Sequence, residues 1–538
     1  MNLNFKRSYP LLLLLIAVVA ILSLVMGNMR VTAYATDPTA ITVEQANSSL
    51  DFHNAVALFD DSIMHSIQVL MDEDDYNKMI STYQNAGLKE YFKADIIIDG
   101  VRINAVGIRL KGNASLRTAL GGGMGRGDGQ RPGNGQPPQA PGDGERPQRP
   151  ENGGMPRPPG NGQLPQAPEN DAVPQGQGEA NRQQAAGEGE NPAPRAAQGI
   201  GPGMGGQTAS GETKIPFLIK FDEYEEGQTY QGYSKLSIRT YGISYDAAML
   251  QEPVTNSAAR LAGLPATQTA YTGFAINDAD EALYVISEIV DDKAYLTEYF
   301  ENDNGILYKA EMGSTLSYQG EDPSSYSRSF SQETRVNDAD LAPLIAFMRF
   351  LDQADEAAFE RDLPKWLDVE AFASYLALNA LVVNTDSMLG MNNNYYLYYD
   401  DVTEQFTLLM WDANESLGKL GGSAAYDISL TSASAGPGGN RGGPGGRMGG
   451  GQNILQERFL ANANFKALYE QKVKEIYAQV YASGALTAEV ERFSALIHAV
   501  NDERGLVEIE AYDQAVQKTS NFIAQRMEYL ATTEMLGK

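Results

Sequence analysis

The stretch that decides the fold spans residues 384–418 and reads NTDSMLGMNNNYYLYYDDVTEQFTLLMWDANESLG. Two runs within it are rich in tyrosine, phenylalanine and leucine, and the polar residues DDVTEQ separate them. This pattern predicts two strands joined as a hairpin, Tyr395–Tyr399 and Phe406–Trp411. Because a hairpin returns the chain close to where it began, we expect Asp386 and Asp412 to face one cleft.

Two carboxylates in one cleft suit phosphoryl transfer, in which one acid orients the acceptor hydroxyl and another holds a divalent cation on the nucleotide phosphates. The residues by themselves leave two alternatives open. In the first, Asp386 is a turn residue after a helix and Asp412 forms a turn before Asn414. In the second, the pair serves a carbohydrate-active enzyme, which needs an open, aromatic-lined groove between its carboxylates.

The composition excludes several classes of function. The chain has 538 residues and a formal charge of −28, from 41 basic and 69 acidic residues. That balance argues against a nucleic-acid binder, whose affinity rests on neutralising phosphates. The absence of cysteine excludes a disulfide framework and thiolate chemistry. The three histidines have no metal-ligand spacing, and neither a GxxxxGK[ST] loop nor a GxSxG elbow occurs.

The amino-terminal residues 1–35 have the features of an export signal. Lys6 and Arg7 precede an apolar run, Leu11–Met26, and the small-residue pattern Ala33–Ala35 follows it. We therefore predict a signal peptide, or alternatively an uncleaved membrane anchor, and an exported or cell-surface protein. Contact with a membrane is expected only through this segment.

Two low-complexity tracts interrupt the chain. Residues 121–211 consist mainly of glycine, proline, glutamine and asparagine, and residues 434–453 are rich in glycine. Such segments bury too little apolar surface to offset the entropy of ordering. The first tract is predicted to be a disordered insertion and the second a flexible loop.

The remaining sequence predicts an α+β fold with two lobes. Residues 55–338 are rich in strand patterns, including a hairpin around Asp99–Gly100 and a helical pattern interrupted by Pro253. From residue 339 to 538 the apolar residues follow the period of amphipathic helices, apart from the hairpin quoted first. A strand-rich amino-terminal lobe and a mainly helical carboxyl-terminal lobe with an embedded hairpin are therefore expected.

Five motifs, taken in order, resemble the motif series of the spore coat protein H (CotH) kinase family: VGIRLKGNASL, IPFLIKFDEY, YVISEIVD, NTDSMLGMNNNYYLYYD and LLMWDANESLG. The resemblance implies an atypical secreted protein-kinase-like fold with a nucleotide-binding lobe and a catalytic lobe. It also implies transfer of the ATP γ-phosphate, with Mg²⁺, to Ser, Thr or Tyr hydroxyls of coat or other extracytoplasmic proteins. The alternative is a non-catalytic, kinase-like scaffold or adhesin of the cell surface or spore coat.

The resemblance assigns roles to four residues of the opening stretch. Asp386 matches the family's catalytic aspartate, and Asp412 matches its magnesium-binding aspartate. Asn394 matches an asparagine that serves as a further metal or phosphate contact. Asn414 stands where the family's WDxD pattern has its second acid, so it is expected to offer an oxygen to the metal without the charge.

A kinase also needs a cation against the α- and β-phosphates. Lys220 is the preferred candidate, with Lys111 and Arg239 as alternatives, although each residue equally suits a solvated strand face. Glu252 and Glu288 are candidate acids that orient this cation or contact the metal. For Glu288 the alternative is an ordinary outward-facing strand residue.

The resemblance further implies two aromatic side chains around the adenine, Tyr284 and Phe406. Aromatic faces suit a purine, but both residues also suit a hydrophobic core. The chain departs from the family here, because Ala282 and Leu283 stand where many members have glycine, and Phe406 stands where tryptophan is common. We expect these changes to affect nucleotide affinity more than the fold.

Overall fold

The computed structural model describes residues 55–120, 214–242, 245–430 and 453–537. By their contacts, these residues all fall within one compact unit. The predicted signal segment, the insertion at 121–211 and the glycine-rich tract up to residue 452 lie outside the described residues. Within the described part of the chain, no helix is long and apolar enough to span a membrane.

Seven strands of the amino-terminal half form one sheet: β1 (His65–Leu70), β2 (Phe92–Ile98), β3 (Val101–Leu110), β4 (Phe217–Lys220), β5 (Lys235–Arg239), β6 (Thr269–Ile276) and β7 (Ala282–Ser287). They pair in the order β1-β2-β3-β4-β5-β7-β6. Because β1 also pairs in parallel with β6, the sheet closes into a barrel.

The predicted hairpin at Asp99–Gly100 joins β2 to β3. Both turn residues have positive φ, 48° for Asp99 and 85° for Gly100, as a type I′ turn requires. Alternate strand residues point into the barrel. They form an apolar core that includes Ile67, Ile96, Ile108, Ile219, Ile238 and Ile286.

A second sheet has four strands: β8 (Ile306–Ala310), β9 (Phe330–Gln332), β10 (Tyr395–Asp400) and β11 (Gln405–Met410). Its strand order is β11-β10-β8-β9. The hairpin predicted from the opening stretch is therefore confirmed as β10 and β11. Its register pairs Tyr395 with Met410, so the residues before β10 and those after β11 lie at the same end.

Eleven helices complete the described structure: α1 (Glu73–Ala86), α2 (Ala114–Leu120), α3 (Gln251–Leu261), α4 (Lys293–Tyr299), α5 (Ala342–Gln353), α6 (Glu356–Trp366), α7 (Val369–Leu381), α8 (Ile454–Ala461), α9 (Ala463–Tyr477), α10 (Ala485–Arg504) and α11 (Ile509–Leu530). Short helical turns also occur at Pro323–Tyr326, Ala413–Glu415 and Ala478–Ala482. The mixed α+β prediction is confirmed.

Pro253 does not interrupt its helix, so that part of the prediction is wrong. It is the third residue of α3, which continues to Leu261. The amide groups of the first helical turn have no intrahelical partner, so a proline there removes no hydrogen bond.

Helix α10 ties the helical part of the chain to the barrel. Arg504 at its end bonds Glu281, with 2.9 Å between Nε and Oε2, and its Nη2 donates to the carbonyl of His65 at 3.2 Å. Earlier in the helix, Arg492 Nη2 lies 2.9 Å from Asp61 Oδ2. These contacts link α10 to β1, to the segment before β1 and to Glu281 next to β7.

Candidate active site

Asp386 and Asp412 lie at the same end of the β10–β11 hairpin. Helix α7 ends at Leu381, and Asp386 lies in the turn that leads toward β10. Asp412 follows the last residue of β11 by two positions. The charge of Asp412 reaches Asp386 and contributes to raising the pKa of its carboxyl. The structure therefore brings the two acids together.

The side chain of Asp386 is held by two amides. Asn393 Nδ2 donates to its Oδ1 at 3.1 Å, and Asn394 Nδ2 donates to its Oδ2 at 2.9 Å. Only 8% of the residue is exposed. Burial, together with the charges of Asp412 and Glu415, raises the pKa of Asp386 to about 6, while the two amides act in the opposite direction. Both oxygens are thus oriented, and the pKa of the carboxyl lies above the usual range of an aspartate.

Asp412 has a left-handed backbone conformation with φ 55° and ψ 56°, which aspartate adopts more readily than most residues. Its carboxylate contacts Nη2 of Arg239, a residue of β5. The Nε of the same guanidinium lies 2.7 Å from Glu252 Oε2, in the first turn of α3. Burial raises the pKa of Glu252 above its ordinary value, and Arg239 opposes that change. Arg239 thus forms ion pairs with both Glu252 of α3 and Asp412 after β11.

Lys111 lies beside this ion-pair chain. Its Nζ donates to Ser237 Oγ at 2.7 Å and lies 5.0 Å from the centre of the Trp411 ring. The guanidinium of Arg239 lies 5.2 Å from the same ring. Burial and the charge of Arg239 lower the pKa of Lys111 to about 7, against the opposite effect of Asp412 and Glu252. Lys111 and Arg239 therefore both lie against the ring of Trp411, next to the carboxylate of Asp412.

A second group of cations lies near the end of β3 and on β8. Burial and the positive charges of Arg109, Lys309 and Arg117 lower the pKa of Lys89 to about 8. The ammonium of Lys89 donates to the carbonyl of Gly112 at 2.5 Å. None of these four cations forms an ion pair with another described residue. In a chain with an excess of acids, such a group favours an anionic ligand.

One comparison with known proteins identifies the family. A family model described as CotH kinase protein matches residues 204–530, which is more than half of the chain. The chain belongs to the CotH kinase family. Among solved structures, this CotH family member is similar to the Helicobacter pylori proinflammatory kinase CtkA. The two share 11% identity, and the match covers 53% of this chain and 92% of that chain with a TM-score of 0.23. No curated protein matches.

Of the three cations proposed for this CotH family member, the structure brings Lys111 and Arg239 to the acids and Lys220 elsewhere. Lys220 Nζ lies 2.8 Å from Glu223 and 3.7 Å from Asp222. Those acids come just after Phe221 in the chain, and their negative charges pair with the ammonium of Lys220. The preference for Lys220 stays a prediction, and the contacts of the described residues favour Lys111 and Arg239.

The structure does not bring Tyr284 and Phe406 together around one space. Tyr284 is 6% exposed and belongs to the barrel core, with its ring 5.0 Å from that of Phe274. Phe406 is 0% exposed and stacks on Phe347 at 4.9 Å in a different core. Both rings are packed against core residues, and their predicted role around the adenine stays a prediction.

Glu288 also lies apart from the acids of the hairpin. It is fully buried, and its Oε2 accepts a hydrogen bond from the backbone of Gln268 at 3.0 Å. Burial and the charges of Glu298 and Asp292 raise its pKa to about 8. None of the three predicted cations contributes to that shift, whereas Glu252 contacts Arg239 directly. Glu252 is the acid that the structure pairs with a candidate cation.

The predicted metal contacts Asn394 and Asn414 lie close to the two acids. Asn394 bonds Asp386, and Asn414 follows Asp412 in the turn Ala413–Glu415, with its side chain packed on Gly242. Among the described residues, no group of three or more histidines and acids could hold a metal by itself. Mg²⁺ commonly uses one or two carboxylates and completes its shell with water and phosphate oxygens. The donor set at this site fits that mode of binding.

Three contributors to the site were missed from the sequence. Asn393 holds Asp386, Glu415 adds a third negative charge, and Lys309 adds a cation from β8. Asn393 lies in the asparagine run that already marked the stretch. Lys309 is distant in sequence, and only the pairing of β8 with β10 places it opposite Tyr396.

Proposed function

We propose that this CotH family protein is a two-lobed, exported protein kinase that transfers the γ-phosphate of ATP to a hydroxyl of an extracytoplasmic protein. The observation that carries the proposal is the pair Asp386 and Asp412 at one end of the hairpin, with cations on the facing barrel strands. Phosphoryl transfer relies on positioning and electrostatic stabilisation rather than on covalent chemistry of the protein. This arrangement supplies both.

In this proposal Asp386 orients the acceptor hydroxyl and takes its proton. Its two oxygens are held by Asn393 and Asn394, so the carboxylate is fixed before the acceptor arrives. A pKa of about 6 leaves the carboxyl mostly ionised above neutral pH, and it remains a better base than an ordinary aspartate.

Asp412 would hold Mg²⁺, assisted by the oxygens of Asn414 and Asn394. When bound, the metal neutralises charge on the β- and γ-phosphates. Since Asp412 contacts Arg239, the guanidinium and the metal would share one carboxylate. Glu252 keeps Arg239 in place from the other side, which makes it a positioning residue.

Lys111 and Arg239 are the cations we assign to the α- and β-phosphates. Lys89 and Lys309, whose positive charges act on each other, are the cations to which we assign a longer-range attraction of the nucleotide. The electrostatic attraction of these cations for ATP is strongest where solvent is excluded. Lys111 meets that condition, because burial lowers the pKa of its ammonium to about 7. A bound triphosphate would raise this pKa again, since its negative charge favours the protonated lysine.

The test is a transfer assay with labelled ATP and Mg²⁺, using the protein alone and with casein as a general acceptor. We expect labelling by the unmodified chain and none by Asp386→Asn. Thermal unfolding of both proteins is the control, since the variant must remain folded. A variant that labels as well as the unmodified chain would overturn the assignment of Asp386 as the base.

A second candidate function is a kinase-like scaffold that does not turn over ATP. Two observations favour it: Asp412 is already paired with Arg239, and both predicted adenine-stacking rings are packed in cores. A nucleotide binder gains thermal stability from its ligand by mass action, whereas a scaffold gains none. Melting with and without Mg²⁺-ATP therefore separates the two functions.

A further inference from the structure

A cavity of about 460 Å³ lies outside the cleft that holds Asp386 and Asp412. The first turn of α3, the segment 417–419 and one face of α11 form its walls. Its volume is within the range of sites that bind small molecules, roughly 300–1,000 Å³. The proposed transfer reaction does not use this space, although Leu417 and Gly418 of its lining are the last two residues of the motif LLMWDANESLG.

The lining of the cavity is cationic and rich in amides. Lys419 and Lys518 are the charged residues of the lining that the structure describes, and no carboxylate is among those described residues. Gln251 and Gln517 supply amides, Leu417 and Phe522 supply apolar surface, and the remaining lining residues are uncharged. In a chain with a formal charge of −28, a cavity walled only by cations and neutral groups is suited to an anion. Amides beside an aromatic ring suit hydroxyl groups and the apolar face of a small ring.

Gln251, a residue of the cavity wall, has an incompletely satisfied side chain. It is 5% exposed, and its Oε1 is buried without a hydrogen-bond partner among the described residues. Its Nε2 has one long contact, 3.5 Å from Thr519 Oγ1. A buried amide oxygen without a partner costs free energy, so such groups are normally satisfied by water or a ligand.

The cavity also adjoins the candidate active site. Gln251 and Lys419 line a second, much smaller cavity of about 10 Å³ together with Glu252 and Asn414. Lys419 donates to the carbonyl of Asn414 at 3.2 Å. Two residues of the larger cavity therefore connect to the candidate active site: Gln251 precedes Glu252, which positions Arg239, and Lys419 bonds Asn414, which follows Asp412.

We propose that this cavity binds a small hydroxylated anion, of the class that includes sugar phosphates and uronic acids, and that its occupancy modulates nucleotide binding. Lys518 and Lys419 attract the anionic group, the glutamine amides bond hydroxyls, and Phe522 covers the ring. Binding of the anion does not depend on the proposed kinase function. The effect of the anion on nucleotide affinity rests on that function. Because coupling is reciprocal, Mg²⁺-ATP then changes the affinity for the anion by the same factor.

The test is isothermal titration calorimetry of the full chain with glucose 6-phosphate, glucuronate, glucose and inorganic phosphate. We expect one or both sugar anions to bind, and glucose and phosphate to bind at least about tenfold more weakly. Preference for glucose 6-phosphate or for glucuronate distinguishes the two sources of the anion. The proposal would be overturned if neither sugar anion bound at concentrations up to about 10 mM. It would also be overturned if inorganic phosphate bound as tightly as the sugar anions.

Matched charge reversals locate the site. Lys518→Glu changes an exposed lining residue, and Lys474→Glu makes the same change on the exposed surface of α9, away from the cavity. We expect about a tenfold loss of sugar-anion affinity in the first variant and little change in the second. An equal loss in both would show that the anion binds by general charge.

Titrating Mg²⁺-ATP with and without the bound anion tests the coupling. A change of at least about threefold in nucleotide affinity supports it, and identical affinities would overturn it. If Mg²⁺-ATP does not bind at all while the anion binds in a manner sensitive to Lys518, the proposed kinase function fails and the anion site stands.

Discussion

Arg239 Nη2 contacts the carboxylate of Asp412, and this contact joins the barrel to the hairpin. Arg239 is 8% exposed on its side chain and has Glu252 as its second acidic partner. One buried cation thus balances two acids, one from α3 and one from the turn after β11. The site depends on this balance in both its stability and its ligand binding.

Removing Arg239 should therefore destabilise the protein. Arg239→Met leaves Glu252 buried without its cation, which should lower the free energy of unfolding by about 3 kcal/mol. Adding Glu252→Gln removes the remaining buried charge and should restore most of that loss. Urea denaturation of the single and double variants measures both effects. If Arg239→Met unfolds at the same urea concentration as the unmodified chain, the ion pair makes no net contribution.

The activity should depend on the ionisation of Asp386. Burial and nearby acids raise its pKa to about 6, and the base is the deprotonated form, so kcat/KM should fall about tenfold per pH unit below pH 6. Asn393→Ala removes a donor that lowers this pKa, so the fall should begin at a higher pH. A pH profile of both proteins checks the sign. An acid limb that starts near pH 4 would contradict the assignment.

Lys111 and Lys220 offer a direct comparison between two lysines of the same barrel sheet. Lys111→Met should weaken Mg²⁺-ATP binding by about tenfold or more, because it removes a cation next to Asp412 and Trp411. Lys220→Met should leave the affinity within about twofold, because Lys220 is already paired with Glu223. Calorimetric titration measures both affinities, and circular dichroism confirms the fold. The reverse order would restore Lys220 as the phosphate contact.

The cations around Lys89 should contribute over a longer range. Lys309→Met should weaken Mg²⁺-ATP binding by about threefold to tenfold at low salt, and the difference should shrink as ionic strength rises. It should also slightly raise the melting temperature in the absence of nucleotide, since four like charges become three. Lys474→Met, on the exposed surface of α9, is the control. A loss of affinity that is independent of salt would argue for a local structural effect.

The sequence was sufficient to predict the hairpin and the meeting of its two acids. Strand periodicity predicts β10 and β11. Because two strands joined by a short turn pair antiparallel, the residues before the first strand and after the second lie at the same end. The same logic found the Asp99–Gly100 turn. These features depend on residues close together in the chain, so local patterns determine them.

Features that depend on distant segments were not predictable in this way. Lys111 and Lys220 both lie at or near barrel strands, and strand periodicity cannot say which one meets the hairpin. The acids Asp222 and Glu223 shortly after Lys220 were a usable sign that its charge is satisfied locally. For Phe406, an aromatic residue suits a purine and a core equally well, and the position of Phe347 decides between them.

The β10–β11 hairpin has a second end, formed by residues 401–404, opposite to the one that carries Asp386 and Asp412. Val402 there is 77% exposed. A fluorophore or affinity label attached at this tip would be separated from the reacting groups by the full length of both strands. Since the chain has no cysteine, Val402→Cys creates a unique attachment point, and the protein can be immobilised or observed singly without touching its chemistry.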